Sequence, residues 1–268
     1  MDSKQILDMF LNIPIDSSDG VFDIFAGLPG AIYEKGAQPM ERFVYIPGTR
    51  RDRVVLVAHA DTVWDVNYGK PQTAQLQYAD GLYSSGTEAC GIGADDRAGC
   101  AMLWALKDSG HSLLIVDGEE HGKHGAKYLR DRHPKLYRQL NRHSFMMEMD
   151  FADTGWCLYN QVNNSQAFKT YISTVLGFRD KKLKGGCDLQ ILCKNICGVN
   201  VSTGWNRCHT SREFLQLSQW ESAYEALRTF LEKRQPQFKI PFSFAIKGFF
   251  ARVKGLVGRI LRKLKLRK

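Results

Sequence analysis

Val54-Val-Leu-Val-Ala-His-Ala-Asp61, running on into Thr62-Val-Trp-Asp65, is the stretch whose reading decides the fold. Five apolar residues lead straight into a His, one spacer and an Asp. The apolar run reads as a strand buried on both faces. His59 and Asp61 stand two apart at its end, so both can lean to one side of the sheet. That spacing suits a metal ligand with a carboxylate neighbour, and equally a capped strand end with a hydrogen-bonded His. The rest of the chain decides between them.

Similar stretches recur downstream. Ser112-Leu-Leu-Ile-Val-Asp117 reads as a buried strand ending in Gly118-Glu-Glu-His121. Two adjacent carboxylates at a strand end are costly unless paired or metal-bound. Ser144-Phe-Met-Met-Glu-Met149 is another strand, and it ends in Asp150. Gly198-Val-Asn-Val-Ser202 is a further strand, followed by Gly204-Trp-Asn-Arg-Cys-His209-Thr210. Gly91-Ile-Gly-Ala-Asp-Asp-Arg-Ala-Gly99 predicts a tight loop that puts Asp95 and Asp96 at the start of a helix over 100–106, where the dipole favours negative charge.

Upstream, Lys4 to Leu11 predicts a short helix, and residues 13–41 look irregular apart from a short helix near 21–25. Glu41-Arg-Phe-Val-Tyr-Ile46 reads as a strand that forms a hairpin with the opening strand. Residues 66–90 look polar and mixed, with a loop at 83–87. Helices are expected over 168–176, 189–192 and, as an amphipathic element, 211–233. Alternating strands and helices give an α/β class with a largely parallel sheet. In such sheets ligands sit beyond the carboxyl ends of the strands, where His59, Asp61, Glu119, Glu120 and Asp150 all fall.

The 268 residues suffice for one large domain with a core. The seven cysteines are odd in number and form no paired framework, so reduced thiols in a cytoplasmic setting are expected. The start of the chain shows no signal peptide, and no apolar run is long enough to span a bilayer. The net charge of +9 is uneven. Residues 239–268 hold ten Lys and Arg and no acid, which leaves 1–238 close to neutral. The basic excess therefore says nothing for nucleic acid binding by the core. The chain divides into a domain over 1–235 and a segment over 236–268, where residues 246–268 read as a cationic amphipathic helix. Such a helix suits the surface of an anionic membrane, with docking on the core or on a second subunit, or binding to nucleic acid or an acidic partner, as alternatives.

His59, one Asp of the 95–96 pair, Glu120, Asp150 and His209 together supply N and O donors for two divalent cations about 4 Å apart, able to clamp a water against a scissile carbonyl. Imidazole with carboxylate suits Zn2+ first, then Co2+ or Mn2+. At this point the chain resembles the co-catalytic zinc peptidases, which include zinc aminopeptidases, carboxypeptidases and deacylases. The matching pieces are Ala58-His-Ala-Asp-Thr-Val63, Gly93-Ala-Asp-Asp-Arg-Ala-Gly99, Asp117-Gly-Glu-Glu120, Met149-Asp150 and Trp205-Asn-Arg-Cys-His-Thr210, in that order over about residues 3–234.

The resemblance implies a three-layer α/β/α sandwich around a mostly parallel mixed sheet. It implies His59 and His209 as ligands of one metal each, Asp95 as the bridge (Asp96 being the alternative), and Glu120 and Asp150 completing the two sites. It makes Glu119 the general base and Asp61 the group that orients His59. A cis peptide at Asp95–Asp96 belongs to the same pattern. Asp150 to His209 spans 59 positions, too few for the lid domain of the carboxypeptidase branch, so the single-domain aminopeptidase branch is expected. Gly185-Gly-Cys-Asp188 only partly matches a Ser-Asp that relatives carry near a helix start. Asn206 and Arg207 are candidates for substrate contact. His111, His121, His124 and His143 are left to surface or helix-capping roles. The expected activity is an aminopeptidase-type exopeptidase on peptides or N-acyl amino acids, in the cytoplasm or peripheral at the membrane. A carboxypeptidase, deacylase or cell-wall amide hydrolase is the enzymatic alternative, and a membrane-binding protein on a degenerate scaffold the non-enzymatic one.

Overall fold

The structure, a computed structural model, describes residues 1–66, 73–159, 162–183 and 185–240. The chain opens with α1 (Ser3–Leu11), α2 (Asp19–Ala26), β1 (Ile32–Lys35), β2 (Arg42–Ile46) and β3 (Val55–His59). A hairpin, β4 (Leu76–Ala79) and β5 (Leu82–Ser85), precedes α3 (Ala94–Ala105), β6 (Ser112–Val116), α4 (His124–Arg132), α5 (Pro134–Leu140), β7 (Met146–Phe151) and β8 (Trp156–Leu158). Then come α6 (Gln166–Tyr171), a π-helical turn (Ile172–Leu176), β9 (Arg179–Asp180), α7 (Leu189–Leu192), β10 (Gly198–Ser202), β11 (Trp205–Asn206), β12 (Phe214–Gln216) and α8 (Leu217–Glu232).

The main sheet has eight strands in the order β1-β2-β6-β3-β7-β10-β8-β9. Its centre, β6-β3-β7-β10, is parallel, while β2 runs antiparallel to β6 and β8 antiparallel to β10. The opening stretch is thus the middle of the sheet, buried on both faces as its apolar run requires. β3 sends Leu56 and Ala58 into a core shared with α1, α2, α3, α6 and α8, and Val55 and Val57 into a second core under α4, α5 and α7. These are the three layers expected.

Several expectations are corrected. Arg42–Ile46 does not pair with the opening strand; β6 lies between them and takes β2 as its antiparallel neighbour. Residues 83–85 of the loop expected at 83–87 belong instead to β5, which with β4, β11 and β12 makes a small antiparallel sheet. Residues 32–35, expected as irregular, form an edge strand. The last helix starts at Leu217 rather than Ser211, because Phe214–Gln216 pair with Leu82–Ser84. His111 and His143 are buried rather than at the surface, 2% and 6% exposed. In the segment that follows residue 235, Phe238 packs on Phe145, Phe168 and Tyr171. The amphipathic segment 246–268, with its expected membrane contact, lies outside the described residues. Among the described residues no helix is long and apolar enough to cross a membrane. All seven cysteines are free.

The two buried histidines tie the amino-terminal ends of the strands together. His111 accepts from Val54 N–H at 3.0 Å through Nδ1 and donates to the Leu231 carbonyl at 3.0 Å through Nε2. Nε2 of His143 accepts from Arg53 Nε at 3.1 Å and lies 2.9 Å from Ser112 Oγ. Both rings are therefore held neutral. Burial, with Arg53 adding to it, pushes His143 down from 6.5 to about 4. A histidine with a depressed folded pKa contributes stability in full above its unfolded value and loses it as pH falls. Urea unfolding should therefore show stability falling between pH 6.5 and about 4. The His143→Gln variant should show a flatter curve over that window, and parallel curves for the two proteins would contradict this role.

Candidate metal centre

The carboxyl ends of β3, β6 and β7 face one another across the centre of the sheet. The register that pairs Val57 with Glu148 carries His59 level with Asp150. β10 is irregular between Asn200 and Ser202, and there the Asn200 side chain takes over the ladder. It accepts from Asp150 N–H at 3.0 Å and donates to the Asp150 carbonyl at 2.7 Å.

Around His59 Nε2, Asp95 Oδ1 lies at 3.3 Å and Asp150 Oδ1 at 3.7 Å. Around His209 Nε2, Asp95 Oδ2 lies at 3.3 Å and Glu120 Oε1 at 2.6 Å. Asp95 thus stands between the two imidazoles. The Asp96 carboxylate accepts from His59 N–H at 3.2 Å and Gly99 N–H at 3.0 Å, and one of its oxygens lies within 4.8 Å of donor atoms of His59 and Asp150. The peptide between the two aspartates is cis, as expected. Asp61 lies 3.3 Å from His59 Nδ1, and its two oxygens accept the N–H groups of Glu119 at 3.0 Å and Glu120 at 3.2 Å. His59 Nδ1 lies still nearer the Asp61 backbone carbonyl, at 3.1 Å, so Asp61 orients the ring through both groups while its carboxylate fixes the neighbouring glutamate loop. Glu119 is paired with Lys123, Nζ to Oε1 at 2.5 Å.

All five expected donors and Glu119 and Asp61 are thus brought together. Arg207 stays exposed, its guanidinium 5.8 Å from the Phe214 ring. Asn206 donates to the Gly204 carbonyl and the Gln219 side chain. Asp188, at the start of α7, is fully buried with neither carboxylate oxygen hydrogen-bonded, beside Glu148, which accepts the Asp188 and Leu189 N–H groups. A cavity of about 1080 Å³ bordered by Arg51, Ser144 and Gln237 lies at the opposite end of the strands, away from these donors.

So many acids in so little water repel one another. Burial, then the Asp95 charge, pushes Glu120 up to about 7 and Asp150 well above the usual carboxylate range. Burial does the same to Asp96. Burial opposes ionisation of Asp95 too, yet the His209 and His59 imidazoles beside it hold it below the usual range. His209 is pushed up to about 11 by its hydrogen bonds to Asp95 and Glu120. Asp95 Oδ1 is buried and makes no hydrogen bond. Three sets of donors each lie within 4.8 Å of one another and can hold a cation: His59, Asp95 and Glu120; His59, Asp96 and Asp150; and Asp95, Cys208 and His209. Imidazole and carboxylate donors that share an acid, with an orphaned oxygen among them, fit divalent metal.

Glu213, not singled out from the sequence, holds this loop. It is 1% exposed and accepts N–H bonds from Ile92 at 2.8 Å, Gly93 at 2.8 Å and Asp95 at 3.0 Å. The tight approach needs Gly91, where an added Cβ would collide with the Glu213 carboxylate, and Gly93, whose φ is +67°. Its position four residues after His209 was the available signal, but burial of an acid is not visible in sequence.

No protein-family model matches the chain, and no curated protein matches it in sequence. Solved structures do match. The aminopeptidase PepT of Bacillus cereus aligns over 87% of this chain and 98% of its own, at 13% identity and a TM-score of 0.65. A tripeptidase of Staphylococcus aureus aligns over the same shares at 13% identity and a TM-score of 0.60. The TET1 peptidase of Pyrococcus horikoshii aligns over 86% of this chain and 99% of its own, at 14% identity and a TM-score of 0.60. The chain has the fold of these peptidases.

Replacing Glu213 by Ala leaves three buried N–H groups without their acceptor. Burial pushes Glu213 up to about 7, so the ordinary increment of about 1 kcal/mol per hydrogen bond applies, and a net cost of about 3 kcal/mol is expected. Chemical unfolding measures it, and a loss below about 1 kcal/mol would contradict the clamp.

Proposed function

We propose that the chain is a metal-dependent hydrolase of peptide bonds, an exopeptidase of aminopeptidase type acting on peptides or N-acyl amino acids. The observation that carries this reading is Asp95 held 3.3 Å from Nε2 of both His59 and His209, with Glu120 and Asp150 on the outer flanks. The peptidase fold of the structural neighbours supports it. In this reading His59 and Asp150 would hold one cation and His209 and Glu120 the other, with Asp95 available to both, zinc being the metal the donor set suits best. Bound there, the cations would lower the pKa of a shared water and polarise the scissile carbonyl.

The chain supplies the remaining chemistry. Glu119 takes the proton of the attacking water and delivers it to the leaving amine. Lys123 sets the direction of the Glu119 carboxylate through its ion pair. Asp61 fixes the His59 tautomer by accepting at Nδ1, which leaves Nε2 free as the ligating nitrogen. Arg207, exposed two residues before His209, meets a carboxylate of the substrate, and Asn206 braces that loop.

Zinc-loaded protein should hydrolyse aminoacyl or tripeptide substrates. The Glu119→Gln variant should keep its metal content and lose turnover about a hundred- to ten-thousand-fold, the usual worth of a general base. A wild-type protein inert on peptides and N-acyl amino acids alike, indistinguishable from the variant, would end this reading.

A further inference from the structure

We propose that Cys208 is a thiolate ligand of the cation held by His209, so that one of the two metal positions carries a sulfur donor. The inference rests on the two-cation reading above and adds a residue to it.

Cys208 lies on the loop between β11 and β12, next to His209 in sequence and on the same site in space. Its Sγ, an Asp95 oxygen and a His209 nitrogen all lie within 4.8 Å of one another. Tetrahedral zinc, with Zn–S about 2.3 Å and Zn–N about 2.0 Å, needs such donors about 3.5 Å apart, a small adjustment from that spread. The residues on either side, Arg207 and His209, both have left-handed backbones, φ +55° and +61°. Non-glycine residues rarely adopt that conformation, so the loop is held in shape by what surrounds it.

A second observation points to a cation on the carboxylate that this set shares. Asp95 is 7% exposed, and its Oδ1, the oxygen on the His59 side, is buried without a hydrogen bond, although His59 Nε2 is 3.3 Å away. A buried carboxylate oxygen left in that state is expensive unless a cation takes it up. Cys208 differs from the other cysteines in what its thiol faces, the Asp95 carboxylate. Cys100 spends its thiol on the His59 carbonyl at 3.2 Å, and Cys157 faces the Phe178 carbonyl at 3.8 Å. Among the described residues, Cys208 is the cysteine found in a group of potential metal ligands.

The chemistry has consequences. On binding, the thiol releases its proton to solvent and the thiolate forms the metal bond. A soft sulfur donor favours zinc and cobalt over manganese. The two metal positions are therefore unequal: the His59 side offers nitrogen and oxygen, the His209 side nitrogen, oxygen and sulfur. The competing role for Cys208 is a neutral thiol that donates to the Asp95 carboxylate, a bond that serine would replace.

The test uses full-length protein loaded with cobalt(II). The wild type should bind two ions and show a thiolate-to-cobalt charge-transfer band in the near ultraviolet. Cys208→Ser should lose that band while keeping its ligand-field bands and its thermal unfolding profile, and should bind the weaker ion at least about tenfold less tightly, the low end of what losing an outer partner of a metal costs. Cys193→Ser, as the control, should keep the band. Two bound ions with no charge-transfer band in the wild type, or a band that survives Cys208→Ser, would overturn the assignment and leave the two-cation reading standing. A wild-type protein that binds no cobalt or zinc would overturn both.

Discussion

The site depends on one electrostatic constraint, the crowding of carboxylates at the carboxyl ends of parallel strands. Asp61, Asp95, Asp96, Glu119, Glu120 and Asp150 are nine-tenths or more removed from water or close to it, within reach of two imidazoles and one ammonium. Burial and then the Asp95 charge raise Glu120 to about 7, and hydrogen bonds to Asp95 and Glu120 raise His209 to about 11. Cations between them would reverse that logic and favour the charged carboxylates. A fold that gathers this much like charge in one place makes structural sense when the charge has a divalent partner, and the proposed function follows from that.

The scaffold meets the constraint by fixing the acids from behind. Asn200 ties Asp150 at an irregularity in the sheet, Asp61 ties the Glu119–Glu120 turn, and Glu213 ties the backbone of the Asp95 loop. Arg97, fully buried, donates to the carbonyls of Ala60, Pro14 and Ser17, and so joins the end of β3 to the amino-terminal segment. Each is a polar group spent on backbone, which positions the donor atoms without competing for them. The small sheet of β4, β5, β11 and β12 connects the His209 loop to the segment that precedes the aspartate pair.

Much of the site was legible because the signals are local. Apolar runs that end in His59, Glu119–Glu120 and Asp150 announce strand ends with donors. The glycines flanking Asp95 and Asp96 announce a tight turn. What was hidden depends on distant partners. Nothing in Arg42–Ile46 says that it pairs with β6 rather than with the strand that follows it. Phe214, Leu215 and Leu217 fit a helical period, and only the presence of β5 turns the first of them into a strand. The β4–β5 hairpin did carry a signal, Asp80-Gly81 with φ of +50° and +79°, the residue pair that two-residue hairpin turns prefer. The buried roles of Glu213, Asn200 and His143 come from burial, which polar residues do not advertise.

The most direct test of the account is the number of zinc ions bound per chain, measured by equilibrium dialysis with elemental analysis on the wild type, His59→Ala and Asp95→Asn. A carboxylate shared between two positions predicts two ions in the wild type, one in His59→Ala, and a collapse of both affinities in Asp95→Asn. A single ion in the wild type, or two tightly held ions surviving in Asp95→Asn, would contradict it.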